Sequence, residues 1–251
     1  MKTLLFSLLI AVALPAAAQT DAAPTAAPAR PQRRALPPEA FTTPTNFVVL
    51  VDLSGKTVDG SWLAEQAAAM QRSLQVGVMV AYGPFENDGD PRKTARDIFE
   101  SIPEAKVLVM LAEGEDLPPI LASPYENWVV MDAGWVKRGG GDESLVNARM
   151  GKRIYQALGA CCGAAYRPER EAVMRYSPTP ESMDDCRSRN FHPLNANSFG
   201  IVARAIGLQP IRLRPRKELV EMGILVPRPA PAPAETPAET PTETPVETPA
   251  E

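Results

Sequence analysis

The order of apolar and polar positions divides the chain into a folded middle and two polar flanks. Phe47 to Leu53 is a nearly continuous apolar run, the mark of a strand covered on both faces. Asp59 or Ser61 then opens a helix through Leu74, with Trp62, Leu63, Ala67, Met70 and Leu74 at helical spacing. Val76 to Tyr82 predicts a second strand and Gly83 to Asp90 a polar turn. Asp90-Pro91 starts a second helix, because proline fits the first helical position, where its missing N–H costs nothing. Ile98, Phe99 and Ile102 supply its buried face, and Lys106 to Ala112 is a third strand. Glu113 to Asn127 is acidic and proline-containing and predicts a surface loop. Trp128 to Ala133 is a fourth strand, Gly134-Trp135 leads away from it, and Lys137 to Gly141 is a basic, glycine-rich loop. From Leu145 to Gly159, Ala148, Met150, Ile154, Tyr155, Ala157 and Leu158 form an apolar stripe that Cys161 extends. Asp142 or Ser144 can cap this helix, and Gly159 is placed to end it. Asn195 to Gly207 predicts a last helix, with Pro210 to Val226 covering an edge or packing under the sheet.

The β-α-β-α-β order implies parallel pairing with right-handed crossovers. The fold class expected is α/β, a three-layer sandwich around a mixed, mostly parallel sheet. Residues 46–226 are its extent, a size that suits one domain with a full core.

The flanks are of another kind. Met1 to Ala18 reads as a secretory signal: Lys2, an apolar run from Leu4 to Leu14, then Pro15-Ala16-Ala17-Ala18 before Gln19. That run is too short for a resident membrane span, and no cysteine follows it to carry a bacterial lipid anchor. The mature protein is therefore expected to be secreted or periplasmic. Residues 19–45, rich in Pro and Ala, read as a linker. Residues 227–251 repeat Glu-Thr-Pro from Glu235 on and have almost nothing to bury.

Charge adds little. The chain carries a net charge of −4, and Glu235, Glu239, Glu243, Glu247 and Glu251 sit in the tail. No basic stripe with interleaved aromatics occurs, which argues against nucleic acid. Gly55 stands alone after the first strand, so no phosphate-binding loop is formed there.

The run from Lys152 to Met174 resembles a known motif. Metzincin-clan zinc peptidases carry H-E-x-x-H-x-x-G-x-x-H on a helix, followed by a turn with a methionine. With Gly159 on the motif glycine, Lys152 and Gln156 fall at the first two histidines, Arg153 at the glutamate, Cys162 at the third histidine and Met174 at the turn methionine. Within that clan the chain is similar to the archaemetzincin type, in which a Cys-Val-Met turn, a short acidic helix and a Phe-Cys-Pro-x-x-Cys run follow. Here the corresponding stretches are Ala172-Val173-Met174, Pro180 to Asp185, and Phe191-His192-Pro193-Leu194-Asn195. The resemblance covers about residues 46–195, and the loop between Cys162 and Met174 is longer than in the family. It implies a substrate cleft edged by the strand before the helix, here Trp128 to Trp135, which would take an extended peptide. It also brings Cys186 near Cys161 and Cys162. Export then implies one disulfide from Cys186 to either of them, with the third thiol buried.

The chemistry that the family needs is missing from these positions. Zinc catalysis takes neutral or anionic ligands and an acceptor for the water proton. This chain offers an ammonium, a guanidinium, an amide and a thiol, and it has a single histidine, His192. The remaining donor set, Cys162 and His192 with Asp184 or Asp185, lacks the partner cysteines at Ala172 and Asn195. A cysteine nucleophile paired with His192 has no visible activation, and no Gly-x-Ser-x-Gly elbow is present. No cofactor and no catalytic residue are assigned. The expectation is a catalytically inactive, peptidase-like domain with a binding or structural role; the alternative is a hydrolase that uses other residues.

Overall fold

The computed structural model describes residues 36–55, 58–85 and 89–226. The expected signal segment, the linker up to residue 35 and the tail from 227 lie outside these residues.

Five strands form one sheet in the order β2-β1-β3-β5-β4. They are β1 (Phe47–Asp52), β2 (Gly77–Ala81), β3 (Ala105–Ala112), β4 (Ile120–Ser123) and β5 (Trp128–Asp132). β1 pairs parallel with β2 and β3, and β3 pairs parallel with β5. β4 returns antiparallel along β5, with Leu121 opposite Val130. Helices α1 (Gly60–Leu74) and α2 (Pro91–Ser101) make the crossovers. Asp59 caps α1 through bonds from the Ser61 and Trp62 amides, and Asp90 caps α2 through the Arg92 amide. The fold class is the one expected: α/β with a mixed, mostly parallel sheet.

Strand alternation sorts the core into two layers. Val107, Val109 and Leu111 of β3 join Val48, Leu50 and Met131 against Leu63 and Met70 of α1. Their neighbours Leu108 and Met110 join Val49, Val51 and Val130 against Ala95 and Ile98 of α2. Each fully buried side chain of this kind contributes about 1.5–3 kcal/mol of transfer free energy.

Helix α4 (Glu143–Cys161) packs on the first of these layers and meets β4 and β5. Asp142 is its cap, accepting from the Leu145 amide. A short helix α3 (Ala133–Arg138) precedes it. After α4 come a 3-10 turn (Glu181–Met183), α5 (Pro193–Ala205) and α6 (Arg216–Glu221). Residues 37–45, expected to be linker, are tied to the segment before α6. The Thr42 amide donates to Arg212 O, the Arg214 amide donates to Ala40 O, and Ala40 is fully buried. The Ile211 amide donates to Gln75 O, so this segment covers the β2 side of the sheet, as one of the two expectations for it held.

Three expectations need correction. Ile120–Ser123 is a strand, not loop; four residues enclosed by Pro118, Pro119 and Pro124 are too few for a period to show. The chain after β5 turns into α3 and does not run on as an extended edge. Gly159 does not end α4, which continues to Cys161. The stop lies at Gly163, in the left-handed region at φ +67. There the Ala164 amide donates to Gly159 O and the Gly163 amide to Ala160 O, the paired closure of a Schellman end.

Gly159 is instead required by what lies against it. A Cβ there would stand 2.3 Å from Met174 Sδ and 3.3 Å from the Phe191 ring. Met174 is fully buried, so its thioether cannot swing into solvent. Alanine is the better helix former by about 1 kcal/mol, yet Gly159→Ala should destabilise the domain by about 1–3 kcal/mol through overpacking. Urea denaturation measures this; a stabilised variant would show that Met174 relocates freely.

Candidate functional site

Every residue of α4 from Arg149 to Gly159 is buried. Four of them are polar, Arg149, Lys152, Arg153 and Gln156, at positions i, i+3, i+4 and i+7, which place them on one side of the helix. A charged group taken from water needs partners close by. The segments after α4 supply most of them.

Arg149 Nε donates to Asp184 Oδ1 at 2.8 Å and Nη2 to Oδ2 at 2.5 Å. Nη1 reaches Gly139 O and Gly140 O at 3.1 and 2.7 Å. One guanidinium thus ties α4, the α3–α4 turn and the 3-10 turn together. The Arg149 guanidinium holds the Asp184 carboxyl below its ordinary range, and that bond raises Arg149 in return.

Lys152 Nζ donates to Met183 O at 2.8 Å. The acid nearest in sequence to that contact, Asp184, is already engaged by Arg149. Gln156 Nε2 donates to Val173 O and Arg175 O, both at 2.9 Å. It therefore clasps the turn on either side of Met174, while Met174 seats against Gly159. The loop closes over this junction: the Arg167 amide donates to Met174 O, and Asn195 Nδ2 donates to Ala165 O.

Arg153 sits differently. Nη1 donates to Gln156 Oε1 at 2.7 Å, and the guanidinium lies over the Trp135 ring, with Cζ 3.9 Å from its centroid. Its Nε is buried and has no partner among the described residues. Burial pushes the group down to about 10, with Tyr166 and Asp132 acting against that fall. It therefore remains a cation at neutral pH. Arg153 lines a cleft of about 240 Å³ together with Pro119, Ile120, Tyr166, Tyr176 and Ser177. The two tyrosine rings meet edge to face at 5.8 Å.

Other expected site residues lie elsewhere. Cys162, expected at the position of the third histidine, is packed in the core, where burial raises its thiol to about 12, and does not line the cleft. The physical reason is the straight end of α4. Cys161, Cys162 and Cys186 are all free. The expected bridge is not formed: Cys186 Sγ is directed at Ala172 O and Ser188 O, at 3.1 and 3.3 Å. Trp128 and Trp135 do not form a cleft edge. Trp128 packs on the opposite face of the sheet, with Nε1 donating to Glu126, and Trp135 lies beneath Arg153. The edge beside the cleft is β4. His192 caps α5, its Nδ1 accepting from the Leu194 amide at 3.4 Å.

No family model and no curated protein matches the sequence. Among solved structures, an archaemetzincin from Methanopyrus kandleri is 18% identical, with 68% of this chain and 99% of that chain covered at a TM-score of 0.47. A zinc-dependent peptidase from Methanocorpusculum labreanum is 12% identical, with coverage of 61% and 100% and a TM-score of 0.48.

The residues present do not fit a zinc ion. A dication at this junction would face Lys152 and Arg153, and the Gln156 oxygen is already taken by a guanidinium. Among the described residues no three His, Cys, Asp or Glu side chains gather at one point. The sequence had pointed to Lys152, Arg153, Gln156, Gly159 and Met174. It had not pointed to Arg149, Tyr166, Tyr176 or Ser177. The signal for Arg149 was its helical spacing from Lys152, Arg153 and Gln156.

Two variants probe these contacts. Lys152→Met removes the charged donor to Met183 O, which keeps only the Cys186 amide at 3.1 Å, and should cost about 1.5–3 kcal/mol; a change under about 0.5 kcal/mol in thermal denaturation would assign Lys152 to a surface role. For Asp184, a lowered folded-state pKa means stability that is present above about pH 4 and lost as pH falls through the folded value. Stability measured from about pH 5 down to about pH 2 should therefore fall less steeply in Asp184→Asn than in the parent.

Proposed function

We propose that this protein is a metal-free, catalytically inactive relative of the archaemetzincin-type peptidases, acting outside the cytoplasm as a binding domain. The observation that carries this reading is Arg153. At the position of the family's water-activating glutamate stands a cation, fixed on Trp135 and bonded to the side chain at the second-ligand position. A guanidinium stays protonated and cannot take a proton from water. Lys152 reinforces the reading, because an ammonium bonded to Met183 O offers no lone pair to a metal.

On this reading the helix-to-turn junction is kept for architecture. Gln156 clasps the turn where a ligand side chain would share a metal, and the cleft beside β4 is kept for binding. The apolar run at residues 4–14, the short basic start before it and the Pro/Ala-rich stretch after it support export.

Elemental analysis of the purified protein should find far less than one zinc per chain, and a casein-type substrate should not be cleaved. About one zinc per chain with proteolysis that a chelator abolishes would overturn the proposal. Restoring Lys152→His, Arg153→Glu and Gln156→His together should not create a peptidase, because residue 162 remains in the core.

A further inference from the structure

We propose that the cleft beside β4 binds a carboxylate, and that Arg153 is the residue that recognises it. The inference rests on the binding role proposed above and names the ligand class for that cleft.

The argument begins with charge. Arg153 is 4% exposed, and among the described residues no carboxylate lies within ion-pair distance of it. Asp132, whose charge acts on it, has Oδ2 held by Arg138 at 2.6 Å. Among the described residues, of the guanidinium nitrogens only Nη1 has a hydrogen-bond partner, and Nε has none. A buried cation without an anion is costly, and a guanidinium's fork of donors matches a carboxylate's two oxygens.

The lining of the cleft continues the argument. Among the described residues, Arg153 is the one charged residue lining it, and no acid lines it to repel an anion. Tyr166 and Tyr176 add hydroxyl groups, Ser177 has its own hydroxyl bonded to Arg175 O, and Pro119, Ile120 and Pro178 add an apolar wall. A volume of about 240 Å³ lies below the usual range for drug-sized ligands. It suits one residue-sized group with a carboxylate at one end and an apolar body at the other. The edge strand β4 begins at Ile120, within this lining, and its outer side pairs with no strand among the described residues. A peptide ending in an apolar residue meets all of these conditions, with its terminal carboxylate on Arg153.

The test is a calorimetric titration of the full protein with N-acetylphenylalanine and with N-acetylphenylalaninamide, which differ only in the carboxylate. The acid should bind, and the amide roughly 10- to 100-fold more weakly, the range for a hydrogen bond to a charged group. Equal binding of both, or binding of neither, overturns the proposal without any variant. Arg153→Gln should lose the preference for the acid; a folded Arg153→Gln protein that keeps it would also overturn the assignment. Inorganic phosphate that binds while the acid does not would reject a carboxylate as the ligand. Zinc found in the same preparation would overturn the metal-free reading alone, since the acid-to-amide ratio is read independently of it.

Discussion

The structure depends on one constraint: α4 is buried from Arg149 to Gly159, and it carries four strongly polar groups there. A helix in that position cannot turn a polar stripe to water. Each group must find a partner in whatever packs over it. The chain meets this by sending the segment from Ala164 to Asp185 across the helix with its carbonyls and one carboxylate facing inward. Met183 O receives Lys152, Val173 O and Arg175 O receive Gln156, and Asp184 receives Arg149. The irregular segment is thus held by side chains rather than by strand pairing. Removing one donor therefore weakens the helix and the loop over it together.

The contact of Met174 with Gly159 belongs to the same arrangement. Gln156 can bond the carbonyls flanking Met174 only if the turn approaches the helix backbone closely. That approach needs a residue without a Cβ one turn further on. The short polar bonds and the apolar seat therefore set each other's geometry. Tyr155 extends the seat through Phe191, edge to face at 5.3 Å, and Phe191 continues to Phe199 of α5.

Much of the fold was legible in the sequence, because long elements with a clear period announce themselves. β1, α1, α2 and β3 were read within a few residues of their ends. The misread pieces share a cause. β4 is four residues long, α3 six, and neither has room for a repeat. Gly159 misled because a helical glycine has two uses, a stop or a close approach, and the neighbour that decides between them lies fifteen residues away. In the site, the polar stripe 149, 152, 153, 156 was visible as spacing, but amphipathic reasoning sends such a stripe to solvent. Only the packing of the loop over it reverses that conclusion. The tyrosines were invisible for the opposite reason: two exposed rings in a polar loop carry no pattern until the loop folds back beside the helix.

Arg153 shows how far a single change of sign reaches. A carboxylate at that position would pull protons and cations toward the cleft. The guanidinium does the reverse, and it cannot be silenced by deprotonation, since even at about 10 it remains charged at neutral pH. A lysine would not be equivalent. Burial of this degree shifts an ammonium readily, and a point charge would neither stack flat on Trp135 nor present paired donors. The planar group satisfies the ring below and Gln156 beside it, and still keeps unmatched N–H groups. The helix has thus matched each of its other buried polar side chains internally and left one cation incompletely matched, at the one position that also lines a cleft. That asymmetry sets this position apart from the rest of the helix.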